Sequence, residues 1–310
     1  MNKRILLINL YMDEKVIIIL GPTATGKTNL ATKLAFNLNA EIISSDSRQV
    51  YKSLDIGTGK DLEEYIVNNK KIKYHLIDII NLDTNYSVYN FQKDFEKAYK
   101  NIISNNKKVI VCGGTGLYLE SLLLDYKLSN KPPPDYNLRQ KLEKRSKEEL
   151  LKYFEEINHS IIKDPKIDTK NRIIRNIEIC LNQTDKKETN TLLPIKKYIV
   201  IGINPGREIV RENVTKRLKE RMEFGLVEEI ENLLNQGITH ERLNYFGLEY
   251  RFISKYLQKI YTKQEMFDKL NSAIHQFSKK QMTFFRRMEK RGIKINWIDN
   301  NNINLIEKII

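Results

Sequence analysis

The sequence predicts an α/β fold, a doubly wound parallel sheet with an inserted helical domain, and three observations carry that prediction. Residues 16 to 28 read Val-Ile-Ile-Ile-Leu-Gly-Pro-Thr-Ala-Thr-Gly-Lys-Thr, an apolar strand running into a Gly-x-x-x-x-Gly-Lys-Thr loop and then a helical stretch. Short apolar runs alternate with helix-period segments as far as residue 125, the pattern of a parallel sheet covered on both faces. Beyond it the chain turns to helical patterns without a strand until residue 194.

Taken in order, the strands are expected at Val16–Leu20, Glu41–Ser44, His75–Ile79 and Lys108–Cys112, with helices at Lys27–Leu38, Val88–Asn105 and Leu117–Leu124. Lys131-Pro132-Pro133-Pro134-Asp135 breaks the chain and permits a helix start. Residues 136 to 182 read as successive helices. Tyr198–Ile203 is a returning strand, a long helix runs from Glu208 to Asn235 and ends at Gly237, and another covers Asn271 to Met288. The expected division is a core of residues 12–125 and 195–310 around an insertion of 126–194. Asn-rich stretches near 101–106 and 300–304 read as loops or ends.

A chain of 310 residues can bury a sizeable core, and it holds no apolar run of membrane-spanning length. The first residues lack a signal-peptide pattern, and Met12 is read as an alternative start. Cys112 and Cys180 are too few for a disulfide framework and suit a reducing, cytoplasmic setting. There are 53 Lys and Arg against 39 Asp and Glu, a net charge of +14. Such a balance suits a polyanionic partner, although a Lys-, Asn- and Ile-rich composition of the AT-rich coding type produces it too.

The chemistry concentrates at the strand ends, where open α/β sheets bind ligands. Gly21, Pro22, Thr23, Ala24, Thr25 and Gly26 form a phosphate-binding loop (P-loop). In it Lys27 supplies a cation, Thr28 a hydroxyl suited to Mg²⁺, and the following helix its positive end. The second strand ends in Asp46-Ser47-Arg48-Gln49. Asp46 there is either a proton acceptor or the cap of a following helix. Asp55-Ile56-Gly57-Thr58-Gly59-Lys60 is a second anion-friendly turn. Gly113-Gly114-Thr115-Gly116 brings Thr115 to the same edge, where a nucleotide hydrolase would place an aspartate for Mg²⁺; Asp78 is a substitute candidate.

In the long helix Arg217 and Arg221 flank an apolar stripe, placed either to grip a diphosphate or to face solvent. In the last helix Gln276, Lys279, Lys280, Thr283, Arg286 and Arg287 share a basic face without an acid. Ile274, Phe277, Phe285 and Met288 share the other, among which Gln281 needs a buried partner. In the insertion Asn171-Arg172-Ile173-Ile174-Arg175 puts two arginines one turn apart, to line RNA or an ordinary surface.

In this order the segments resemble the tRNA dimethylallyltransferase (tRNA isopentenyltransferase) family in its bacterial form, across residues 13 to 298. The segments are Gly21–Thr28, Asp46-Ser47-x-Gln49-x-Tyr51, Asp55–Lys60, His75–Asp78, Tyr86-Ser87-Val88, Gly113–Tyr118, Arg172-x-x-Arg175, Arg217 and Lys279-Lys280-Gln281-x-Thr283. The resemblance implies transfer of a dimethylallyl group from dimethylallyl diphosphate to N6 of the adenine 3′ of the anticodon. The P-loop would then hold the prenyl diphosphate, with Mg²⁺, Lys27, Thr28 and Arg217 offsetting leaving-group charge and Asp46 accepting the N6 proton.

The resemblance also implies tRNA contacts from Asp46, Ser47, Arg48, Gln49, Thr115 and residues 171–175, with Lys279, Lys280, Gln281 and Arg286 added by the basic helix. The insertion corresponds to the family's clamp on the anticodon stem-loop, and a monomer is expected. Three departures stand out. Asn213 replaces an arginine, Phe246-Gly247-Leu248-Glu249-Tyr250-Arg251 replaces a Gly-Tyr-Arg-Glu-like segment, and Phe284 replaces a tryptophan. A P-loop small-molecule kinase, a prenyltransferase of free adenine nucleotides and a non-catalytic RNA-binding protein are the alternatives.

Overall fold

Five consecutive apolar residues make β1 (Val16–Leu20), and their burial on both sides places the strand in the middle of a sheet. The computed structural model describes residues 15–124, 135–162, 165–182 and 197–299, with the separate residues 126, 132, 134, 195, 306 and 309. The readings of Met12, of the break at Lys131 and Pro133, and of residues 300–304 lie outside them. The elements that follow β1 are α1 (Lys27–Leu38), β2 (Ala40–Ser44), β3 (Ile66–Val67), β4 (Lys70–Lys71), β5 (Tyr74–His75), α2 (Val88–Ser104), β6 (Lys108–Gly113) and α3 (Gly116–Leu123). After the insertion come β7 (Tyr198–Ile203), α7 (Arg207–Glu223), α8 (Leu226–Asn235), α9 (His240–Phe246), α10 (Leu248–Leu257), α11 (Lys263–Lys290) and β8 (Ile295–Ile298).

The main sheet runs β5-β2-β6-β1-β7-β8 with every pairing parallel. Alternation along β1 divides the core in two. Ile17 and Ile19 pack with Leu30, Leu34 and Ala35 of α1, while Val16, Ile18 and Leu20 pack on the other face with residues of α2, α3 and α7 to α11. Leu20 pairs with both Gly113 and Gly202, and Ser44 with Cys112, so the loops after β1, β2 and β6 leave one edge of the sheet together.

The described residues between 125 and 192 form a second compact unit. It consists of α4 (Tyr136–Glu143), α5 (Lys147–Asn158) and α6 (Lys170–Leu181), packed through Leu142, Leu150, Phe154, Ile173, Ile174 and Ile177. Glu178, fully buried there, accepts hydrogen bonds from Arg139 (2.7 Å) and Arg175, and ion pairs of this kind are the condition for burying a carboxylate.

Several elements differ from expectation. The strand expected over His75–Ile79 stops at His75, because Leu76 and Asp78 take left-handed backbone angles of 63° and 56°. The long helix expected from Glu208 to Asn235 is two helices, broken where Gly225 sits at φ 95°. The last helix starts a full two turns before Asn271, because Thr262 and Glu265 form a reciprocal capping box. The β3–β4 hairpin was not anticipated. Among the described residues no helix is long and apolar enough to cross a membrane, and both cysteines are free.

Candidate functional site

The loop after β1 wraps the start of α1, and its contacts explain its shape. Thr25 Oγ1 donates to the Pro22 carbonyl at 2.9 Å, and Lys27 Nζ reaches back to the same carbonyl at 2.5 Å. Asn213 of α7, the residue standing where an arginine is expected, donates Nδ2–H to the Ala24 carbonyl at 3.2 Å. Burial pushes the Lys27 ammonium down to about 8, with Arg217 adding to the effect and Cys112 and Asp46 opposing it. Glu64 lines the same recess as Thr28, and its carboxyl is raised by burial and by Asp61.

Asp46 caps no helix. Its Oδ1 accepts the backbone N–H of Arg48 at 2.8 Å and of Gln49 at 3.3 Å, closing a side-chain turn at the end of β2. Thr115 Oγ1 accepts the Ser47 N–H at 3.1 Å, so the strand ends of β2 and β6 are tied together. Gln49 donates Nε2–H to the Gly59 carbonyl at 3.0 Å, and the Arg48 guanidinium lies 4.8 Å from the centre of the Tyr245 ring. The sequence placed Gln281 among apolar residues, in need of a partner. It is 8% exposed and takes two: Oε1 accepts Thr23 N–H at 2.9 Å and Nε2 donates to Gly114 O at 3.0 Å. Its amide therefore braces the phosphate loop against the β6 end.

These residues line a cavity of about 420 Å³. Its wall includes Lys27, Thr28 and Cys112, Asp46, Arg48, Gln49 and Thr115, and Arg217, Arg221, Glu249 and Phe277. Burial pushes the Cys112 thiol up to about 12, which keeps it uncharged beside Lys27. Arg217 is held by Asp61.

Other expected site features are occupied by the chain itself. The backbone N–H groups of Asp55, Ile56 and Gly57 all donate to the Glu229 carboxylate, at 3.0, 2.6 and 3.2 Å, so the second anion-friendly turn already holds an internal anion. Asp78, the substitute metal ligand, is paired with the buried Lys60. The basic helix is not free of acids: Glu120 of α3, fully buried, pairs with Arg287 and with Arg291 at 3.0 Å. Phe277, expected on the core face, is 46% exposed and lines the cavity. Lys279, Lys280 and Arg286 are exposed.

In the second unit, Ile173 and Ile174 are core residues and Arg175 is spent on Glu178 and the Pro132 carbonyl. Asn171 and Arg172 are exposed, Arg172 pairing with Asp168 at 2.6 Å. Sequence reasoning missed Tyr245 and Glu229, which lie in helices without a motif of their own, and named Glu249 only as part of the altered 246–251 segment; their placement comes from the packing of α8 to α10.

A phosphate loop opening into a cavity whose wall also carries Asp46, Arg217 and Arg221 defines a P-loop group-transfer protein. The chain belongs to the IPP transferase family, whose description matches residues 49–288. It is 45% identical over 299 residues to "tRNA dimethylallyltransferase 1" of Azobacteroides pseudotrichonymphae, covering 96% of this chain and 97% of that protein. It is also 45% identical over 290 residues to "tRNA dimethylallyltransferase 2" of Bacteroides fragilis, with 93% of each chain covered. The crystal structure of the tRNA isopentenylpyrophosphate transferase of Bacillus halodurans superposes with a TM-score of 0.67 at 27% identity, covering 96% of this chain and 94% of that one.

Proposed function

We propose that this protein transfers a dimethylallyl group from dimethylallyl diphosphate to the exocyclic N6 of the adenosine 3′-adjacent to the anticodon in tRNA. The observation that carries the reading is that Lys27 and Thr28, fit for the diphosphate end of a donor, and Asp46, fit for the amine end of an acceptor, face one cavity. The N6 lone pair forms a bond to C1 of the dimethylallyl group as the C1–O bond to the diphosphate breaks, and Asp46 takes the N6 proton. Asp46 is suited to this by the two backbone N–H groups that fix its carboxylate.

Lys27 and Arg217 hold negative charge as it grows on the leaving diphosphate, where fixed donors act most strongly. The residues present fit a Mg²⁺ ion. Mg²⁺ keeps most of its waters and needs only one or two protein groups plus phosphate oxygens, and the Thr28 hydroxyl with Glu64 beside it meets that need. When bound, Mg²⁺ offsets diphosphate charge. The target adenine must leave its stack to reach such a recess. Ser47, Arg48, Gln49 and Thr115 at the cavity wall, Lys279, Lys280 and Arg286 on α11, and Asn171 and Arg172 in the second unit are proposed tRNA contacts.

The test is Asp46→Asn. Prenyl transfer should fall by about two to four orders of magnitude while affinity for tRNA holds within a few-fold. Transfer near the wild-type rate would remove Asp46 from the role of base.

A further inference from the structure

Arg217 and Arg221 stand one turn apart on α7, and the structure treats them differently. Arg217 Nη2 is paired with Asp61. Arg221 Nη2 lies 4.0 Å from the same carboxylate, is buried, and has no hydrogen-bond partner. A buried guanidinium donor left without an acceptor is costly, and it is found where a ligand supplies the acceptor.

The surroundings are built to bring it there. A Cβ at Gly59 would lie 1.6 Å from Arg221 Nη2 and 2.5 Å from Arg217 Nη2, so both arginines reach the site only over a glycine. Gly59 is fixed from two sides, by its N–H to Asp55 O at 2.9 Å and by Gln49 on its carbonyl. The Asp55–Gly57 backbone behind it is anchored on Glu229.

Arg221 lines the main cavity and also a second opening of about 450 Å³ whose wall includes Lys27, Thr28 and Arg217. Lys216 is the fourth cation on that wall, which Asp61, Glu64 and Glu220 share. Burial and the neighbouring Arg217 hold the Arg221 guanidinium below its usual range, with Glu249 and Asp61 opposing them.

We propose that Arg221 is a further catalytic residue, the second arginine that grips the leaving diphosphate, through the Nη2 that the protein itself leaves unpaired. The proposal deepens the prenyl-diphosphate reading of this cavity and rests on it.

Inorganic diphosphate with Mg²⁺ is the probe, titrated calorimetrically into the full chain and into Arg221→Gln and Arg221→Lys. Arg221→Gln should weaken diphosphate binding by about tenfold to a hundredfold, the range of one charge-assisted contact, without lowering the affinity for tRNA. Arg221→Lys, which keeps the charge but loses the fork, should fall between the two and carries the test if the glutamine variant does not fold. Gly59→Ala should reproduce the loss by displacing the guanidinium. Diphosphate affinity within about threefold of wild type in Arg221→Gln, or a loss confined to tRNA binding, overturns the assignment. A wild-type protein whose diphosphate binding depends on Arg221 but which prenylates no tRNA would leave this assignment standing and remove the reaction.

Discussion

Gln281 offers a demanding prediction because its amide is spent entirely on two backbone groups. Replacing it by Leu keeps the volume and strands the Thr23 N–H and the Gly114 carbonyl, which it bonds at 2.9 and 3.0 Å. A buried polar group left unsatisfied costs roughly 1–3 kcal/mol, so the variant should lose about 2–4 kcal/mol. At about 2–4 °C per kcal/mol for a chain of this size, the thermal midpoint should drop by about 4–16 °C.

Gln281→Glu is the sharper variant. One carboxylate oxygen can still accept from Thr23, but the other confronts the Gly114 carbonyl, acceptor against acceptor. Protonation restores the donor, so Gln281→Glu should recover stability relative to wild type as the pH is lowered, and Gln281→Leu should not. Differential scanning calorimetry from pH 5 to 8, paired with diphosphate titration, reads both effects. A Leu variant with wild-type midpoint and wild-type diphosphate affinity would refute the bracing role, and a Glu variant indifferent to pH would refute the geometry.

Three further predictions follow from named contacts. Lys27 is held near 8 against an ordinary 10.5, so between those values the unfolded chain binds more protons and wild-type stability rises with pH. Lys27→Met should therefore be more stable than wild type at pH 7 by about 1–3 kcal/mol, with the gap closing toward pH 10.5 in urea titrations; a constant or reversed gap contradicts it. Glu229→Gln halves the acceptors available to three backbone donors and should reduce diphosphate affinity several-fold by loosening the floor under Arg221; unchanged affinity would show the loop to be self-supporting. Arg287→Ala removes one of the arginines paired with the buried Glu120 and should cost about 2–4 kcal/mol of stability while sparing tRNA affinity, whereas Lys280→Ala should do the reverse; binding and melting curves on both variants separate the roles.

The sheet was legible because its strands are uniform apolar runs that end at loops with a chemical signature. β1, α1 and β7 were placed at their observed bounds, and β2 and β6 within a residue. The misplacements have local causes. The strand at His75 ends on left-handed residues that are not glycines, and the long helix breaks at a glycine whose neighbours keep helical periodicity across it.

The candidate site was legible where residues are adjacent in sequence, as in the loop around Lys27 and the turn at Asp46. It was opaque where burial decides. A pattern of cations on α11 does not reveal that Arg287 is claimed by Glu120 from another helix, and no spacing shows that the Asp55–Gly57 amides are filled by Glu229, about 170 residues away. Ile173 and Ile174 face inward because α6 must close the core of the second unit, a demand that its arginine spacing does not display.

The central claim is prenyl transfer to one adenine of tRNA. Purified protein, Mg²⁺, labelled dimethylallyl diphosphate and unmodified tRNA, followed by nucleoside analysis, test it directly. The account predicts N6-dimethylallyladenosine at a single position, 3′ of the anticodon, formed about two to four orders of magnitude more slowly with Asp46→Asn. Label appearing only on free adenine nucleotides, or tRNA bound but left unmodified, would contradict it.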